Sequence, residues 1–291
     1  MRRSQLILIL RHLSQIAFFV LLIFFVVGVF CSFAIWGLNI SCPVGSIQQI
    51  FASKTFYVVL IVSALPLIIL PILFGRFFCS WMCPMGTIYE ALTPITNRIK
   101  SPIKLPSFLR KQSNKVGIAF GSFIAAGIAS SPAWCTVCPV GAVCKSATGC
   151  PVIGGSVAVV TLGLEGIEQR TFCKYICPIG GVFVVLSKIG QKFNYKVKLP
   201  VDDCRECRSC ERACKYGVPI LEYTRMKFKE DPRVSELANK MGITKEELLR
   251  KAWKENIPEL KAIAKDYSIA SPECAKCFEC VNACPILKVK K

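Results

Sequence analysis

A mainly α fold in two parts is predicted. A four-helix transmembrane domain of two repeated helical hairpins occupies residues 1–190, and a small α+β domain with a helical insert occupies 191–291. Three observations predict it. Charge is uneven: residues 1–164 hold 12 Lys and Arg and a single acid, Glu90, whereas 165–291 hold 25 Lys and Arg and 17 acids. Hydrophobic residues make up 53% of the 291, and the long uncharged runs lie in the first part. The tetrapeptide Cys-Pro-x-Gly recurs at 42–45, 83–86, 138–141 and 177–180.

The runs place four spans at about 16–38, 55–74, 116–134 and 147–168, each near the length a bilayer core requires. Pro66 and Pro71 predict a kink in the second. Gly117, Gly121, Ala125 and Ala126 suit the third to close helix packing. Glu165 and Glu168 enter the end of the fourth. The apolar PIGGVFVVL that follows is too short to span and reads as interfacial. The first run is too long for the core of a cleaved signal peptide. Arg2, Arg3 and Arg11 precede the first span, and seven further cations lie in 75–115. By the positive-inside rule these segments, both termini and everything after the fourth span are cytoplasmic, the chain being a multi-pass protein of the inner cell membrane. The same flanking positions account for the +19 net charge, so no nucleic-acid partner is predicted.

The Cys-Pro motifs are 41 and 39 residues apart within the halves, and 96 and 94 apart between them. Each half is therefore a hairpin with one motif at each membrane face, repeated in parallel about the membrane normal. The two inner motifs share their approach, GRFFCSWMCP and QRTFCKYICP, with Arg76 and Arg170 three residues before the first cysteine. Cys79/Cys83 and Cys173/Cys177 can thus converge at the cytoplasmic face as a third cluster or redox site. Arg76, Arg170 and Lys174 would offset its negative charge. Pro84 and Pro178 should draw Cys83 and Cys177 out of regular helix.

The second part carries the firmest chemistry. Cys204, Cys207, Cys210 and Cys214 have C-x2-C-x2-C-x3-C spacing, and Cys274, Cys277, Cys280 and Cys284 repeat it. Three thiolates at every third position wrap one cubane, while the fourth reaches the partner cluster. One [4Fe–4S] cluster is therefore assigned to Cys204, Cys207, Cys210 and Cys284, and the other to Cys274, Cys277, Cys280 and Cys214. Zinc would favour separated Cys pairs, often with His, and His12 is the only histidine. Lys215 stands where proline usually follows the fourth cysteine. Residues 216–272 form a charged helical insert, in which Thr244 and Glu247 make a capping box. One histidine excludes bis-His haem, and neither a c-type haem motif, a dinucleotide fingerprint nor a phosphate loop is present. No haem is expected in this chain.

Two C-x3-C-P motifs followed by a dicluster ferredoxin domain resemble the NapH-type membrane ferredoxins over nearly the whole chain. That resemblance implies a membrane subunit of a quinol dehydrogenase, drawing on the quinone pool and passing electrons to partner redox subunits. The loop with Cys135, Cys138, Cys144 and Cys150 departs from the family pattern. With Cys42 it reads as an outward group of disulfides, a redox pair or a further cluster, and Cys31 as a packing residue. Quinol oxidation also releases protons, for which Glu165 and Glu168, three apart on one helical face, are the candidate acceptors. The alternative function is a redox-linked assembly or thiol–disulfide factor that matures another metalloenzyme through the outward cysteines.

Overall fold

The computed structural model describes the chain except residues 1–2, 28–31, 36–37, 56, 97, 99–105, 107, 110, 112, 145–151, 252–256, 265, 270 and 290–291. The chain divides into two compact units, Ile9–Asn194 and Tyr195–Lys291 with Met1–Leu8.

The first unit takes most of α1 (Arg3–Phe25) and a short antiparallel sheet of β1 (Val26–Val27), β2 (Ser32–Ile35) and β3 (Leu38–Ile40), with Phe33 opposite both Val26 and Ile40. Then come α2 (Pro43–Ser53), α3 (Val58–Phe74), α4 (Phe77–Trp81), α5 (Pro84–Thr96), α6 (Asn114–Ala129), α7 (Ala133–Val137), α8 (Pro139–Cys144) and α9 (Val152–Gly163). A 3-10 turn, Leu164–Gly166, and a π-helical turn, Phe172–Ile176, lead into α10 (Pro178–Ile189). The last helix is PIGGVFVVL and its continuation. It packs against α3 and α6, with Phe183 fully buried. Gly181 permits that approach, because a Cβ there would lie 2.4 Å from the Lys115 carbonyl oxygen.

The four-helix transmembrane expectation is overturned. No described helix is long and apolar enough to cross a membrane. The predicted span 16–38 leaves helix at Phe25 and turns into the β1–β3 sheet, where Val, Ile and Phe are at home on a pleated surface. The spans at 55–74, 116–134 and 147–168 become α3, α6 and α9, of 17, 16 and 12 residues. At 1.5 Å per residue even α3 reaches only about 25 Å, short of the roughly 30 Å core of a bilayer. Helix α1 is longer, at 23 residues, but polar contacts fix it within the unit. Buried Arg11 pairs with Glu90 at 2.9 Å, and the Gln15 amide donates to the Ser80 carbonyl at 2.9 Å. Apolar side chains nevertheless face outward on α3, α6 and α9, with Val59 73% and Ile128 82% exposed and Val159 and Val160 beside them.

The second unit joins β4 (Val197–Lys198) to β5 (Ser268–Ile269), antiparallel with Val197 opposite Ile269. Between them lie α11 (Ser209–Arg212), a π-helical turn at Glu222–Met226, α12 (Lys227–Glu230), α13 (Pro232–Lys240), α14 (Lys245–Lys251) and α15 (Pro258–Ala264). Helices α16 (Glu279–Ala283) and α17 (Pro285–Val289) close the chain. The insert buries a core of its own, in which Phe228, Val234, Leu248 and Leu260 pack with Val201. Asp231 caps α13 by accepting the Arg233 N–H at 2.8 Å, with Pro232 at the first helical position. The Glu247 N–H donates to the Thr244 hydroxyl at 3.3 Å, which caps α14. The predicted continuation of that helix past 251 lies outside the described residues.

Candidate functional site

The two cysteine-rich loops of the second unit have matching backbones. Glu206 and Arg208 take φ of 54°, and Lys276 and Phe278 take 55° and 60°. Left-handed turns thus fall at equivalent places in C-x-x-C-x-x-C, curling each loop around its own interior. One such interior is a small cavity, about 30 Å³, lined by Cys204, Cys207, Cys210 and Cys284. The other, of about 20 Å³, is lined by Cys274, Cys277, Cys280 and Cys214. Each therefore takes three thiols from one motif and the last thiol of the other. Among the described residues no three Cys, His, Asp or Glu side chains converge tightly enough for a single metal ion. The four thiols surround a void instead, and that donor set fits a larger thiolate-ligated group such as a cubane.

Polar groups are already directed at these sulfurs. The Val218 N–H donates to Cys214 Sγ at 3.4 Å, and Ser209 holds the exposed Cys207 thiol below its ordinary pKa. Burial pushes Cys210 up to about 11, with Cys204 adding to the rise, and raises Cys280, where Cys277 and Cys274 of its own motif and then Cys214 and Cys210 of the other add to it. Lys215, standing where proline was expected, reaches Glu279 at 3.5 Å on the partner motif.

In the first unit all four Cys-Pro-x-Gly motifs begin a helix. Cys42, Cys83, Cys138 and Cys177 immediately precede α2, α5, α8 and α10, with proline at the first helical position. Cys42, Cys138 and Cys177 have ψ of 123°, 116° and 113°, the extended backbone that proline imposes on the residue before it. The inner pair matches further. The Cys83 N–H donates to the Phe78 carbonyl at 3.0 Å and the Cys177 N–H to the Phe172 carbonyl at 2.9 Å. The N–H of Gly86 or Gly180 then points at the cysteine sulfur ahead of it, the geometry of an anion site at a helix start. Gly86 is needed for this, since a Cβ would lie 2.6 Å from the Cys79 carbonyl oxygen.

The four inner thiols come together. Burial pushes Cys83 and Cys177 up to about 12 and raises Cys173, and each is raised further by thiols of the opposite motif. Cations oppose this: Arg170 acts on Cys173 and Arg76 on Cys177. Buried Arg76 also donates to the Cys173 carbonyl at 3.0 Å, which ties the two motifs to each other. Four neighbouring thiols, of which Cys173 is buried, two backbone donors and adjacent guanidinium groups fit an anionic thiolate-ligated centre.

Comparison with known proteins bears on what that centre is. A family model described as a 4Fe-4S binding domain matches residues 55–102, 116–147 and 152–196, the stretch holding both inner motifs. Ferredoxin-type protein NapH of Escherichia coli is 26% identical over 73% of this chain and 76% of its own. By these matches the chain is similar to NapH-like 4Fe-4S ferredoxin-type proteins. An uncharacterized protein of Methanocaldococcus jannaschii is 28% identical, covering 74% of this chain and 84% of its own. Methylamine utilization ferredoxin-type protein MauN of Paracoccus denitrificans is 23% identical over 61% and 62%. No solved structure matches. The 4Fe-4S match and the chain's cysteines support iron–sulfur chemistry in the service of electron transfer.

Near the inner cysteines, Glu90 bridges two arginines, Arg11 at 2.9 Å and Arg170 at 2.5 Å. Its role was not visible in the sequence beyond its being the first part's single acid. Glu165 and Glu168 do not share a helical face, because α9 ends at Gly163. Buried Glu165 accepts the Arg170 N–H at 2.7 Å. Glu168 pairs with Lys174 at 2.8 Å and accepts the Tyr175 hydroxyl at 3.0 Å.

The expected outward group also moves. Cys138 is buried and acts electrostatically on Cys177, and its neighbours Trp134 and Val140 pack with Met85, Tyr89 and Phe172. This motif therefore does not lie a membrane's width from the inner ones. The Cys135 thiol donates to the Gln48 side chain at 3.7 Å, and Cys42 heads α2. Cys31, Cys150 and the side chain of Cys144 lie outside the described residues.

Proposed function

We propose that the chain oxidises a quinol, or reduces a quinone, and passes electrons singly through three iron–sulfur centres. Two are [4Fe–4S] clusters, one on Cys204, Cys207, Cys210 and Cys284, the other on Cys274, Cys277, Cys280 and Cys214. The third is held by Cys79, Cys83, Cys173 and Cys177. The observation that carries the reading is the pair of cavities in which each motif lends its last thiol to the other. A quinol gives up two protons with its two electrons, and Glu168 and Glu165 are the acceptors this chain offers. When bound, the clusters supply one-electron chemistry; the chain's own residues set the charge around them and take the protons.

The outward apolar faces of α3, α6 and α9 support association with a membrane, where a quinone pool resides, and partner redox subunits would take up the electrons. The cytoplasmic side, whose reducing conditions keep thiols available as ligands, suits the second unit. A reporter fused after Lys291 should read as cytoplasmic, and a periplasmic signal would refute that placement. The alternative, a thiol–disulfide or assembly factor, needs Cys135 and Cys138 presented to a partner protein. The burial of Cys138 favours electron transfer.

Substituting the remote ligands tests the crossed arrangement. Cys214→Ala should give the electron paramagnetic resonance spectrum of Cys277→Ala, since both would empty the same cavity. A spectrum matching that of Cys207→Ala would sink the assignment.

A further inference from the structure

A cavity of about 860 Å³ opens in the first unit beside the inner cysteines. Its walls are mostly apolar, formed chiefly by Leu109, Ile118, Leu164, Ile167 and Ile176, with Tyr175 and a few polar side chains, Lys111, Asn114 and Thr171 among them, completing the lining. Tyr175 is buried and lies between Cys173 and Cys177 in the π-helical turn, so this wall is continuous with the inner site. Its hydroxyl donates to Glu168 at 3.0 Å, and the same carboxylate oxygen accepts Lys174 at 2.8 Å. The cavity thus joins a greasy interior to a hydroxyl–carboxylate–ammonium chain at one end. Its volume is ordinary for a small-molecule site, and a few convergent polar groups on apolar walls are the usual mark of one.

We infer that this cavity binds the ring of a lipophilic quinone or quinol, with a ring oxygen toward Tyr175 and the apolar tail along Ile118 and Leu164. The inference rests on the quinol reading and gives it a place. The occupant follows from the two ends of the cavity. A purely apolar ligand would leave the Tyr175–Glu168 end without use, whereas a strongly polar one would lose its hydration against aliphatic walls. A ring with oxygen at its edge satisfies both. Glu168 then stands one hydroxyl away from the ring oxygen, which makes it the nearer proton acceptor, while Glu165 is engaged with the Arg170 backbone.

Gly117 offers a clean test. It lines the cavity, and a Cβ there meets nothing within 4 Å, so a larger side chain can grow into the space. Gly121, one turn further along α6, is equally open but does not line it. Binding of a decyl-substituted benzoquinone to the intact, cluster-loaded chain would be measured by calorimetry, with decanol as a ringless comparison. Gly117→Phe should weaken quinone binding more than tenfold, and Tyr175→Phe roughly fivefold through loss of the hydroxyl, which turns from Glu168 to donate to the ring carbonyl when the quinone binds. Gly121→Phe should bind as the unaltered chain does, and all three should keep their helical circular dichroism. Unaltered affinity in both Gly117→Phe and Tyr175→Phe overturns this site but leaves the quinol reading standing. Absence of quinone binding to the unaltered chain overturns both. Decanol binding as tightly as the quinone overturns the ring assignment and marks the cavity as an acyl groove.

Discussion

Glu206, Arg208, Lys276 and Phe278 hold left-handed backbone without being glycine, which costs roughly 1–2 kcal/mol per residue. Sequence reasoning had no means of finding them, since the usual Gly or Asn is absent. What it could read was the cysteine spacing, and the turns are how that spacing is turned into two cavities. Arg208 is exposed although it also lines the cavity of Cys204, Cys207, Cys210 and Cys284, so Arg208→Gly should relieve strain while removing only a solvent-facing side chain. It is expected to stabilise the second unit by roughly 0.5–1 kcal/mol, the larger unfolded-state entropy of glycine offsetting part of the gain, with iron content unchanged. Urea titration alongside iron analysis would check this. The opposite holds at Gly86, where the Cys79 carbonyl leaves no room for a side chain. Gly86→Ala should destabilise the first unit by roughly 1–3 kcal/mol and diminish iron bound at the inner cysteines.

Among the elements, the helix starts were the most legible. Pro84 and Pro178 announced that Cys83 and Cys177 would leave regular helix, and Cys177 has that extended backbone, which Cys42 and Cys138 share. Helix lengths were not legible, because apolar runs look alike whether they meet lipid or protein. The run from Val26 onward enters a sheet, and buried Arg11, Gln15 and Lys115 anchor their helices within a packed unit. Glu90 joins α1, α5 and the segment before the π-helical turn through Arg11 and Arg170. Glu90→Ala would remove the carboxylate that two buried guanidinium groups share and should destabilise the unit by roughly 3–5 kcal/mol, read by urea titration. In the insert, hydrogen bonds from Arg233 and then Tyr267 hold Asp231 down at about 2. A depressed carboxylate stabilises above its unfolded pKa of about 3.9 and loses that contribution as pH falls through the folded value. Asp231→Asn should therefore weaken the second unit at neutral pH. The gap from the unaltered chain should close between about pH 4 and about 2 in denaturation curves.

For the molecule as a whole, the eight cysteines of the second unit were readable because their spacing is short and local. The inner four depend on two motifs 94 residues apart meeting, which the shared Arg-x-x-Cys approach suggested and the Arg76–Cys173 hydrogen bond achieves. The expected separation of the motif at 138–141 from that site failed with the membrane spans on which it rested. The central claim is that both units hold iron–sulfur centres, and iron counting after anaerobic reconstitution addresses it most directly. Three clusters require roughly twelve irons per chain, falling to roughly eight when Cys79 and Cys173 are both changed to serine. Eight irons in both proteins would show that the inner cysteines hold no cluster, and would contradict the account.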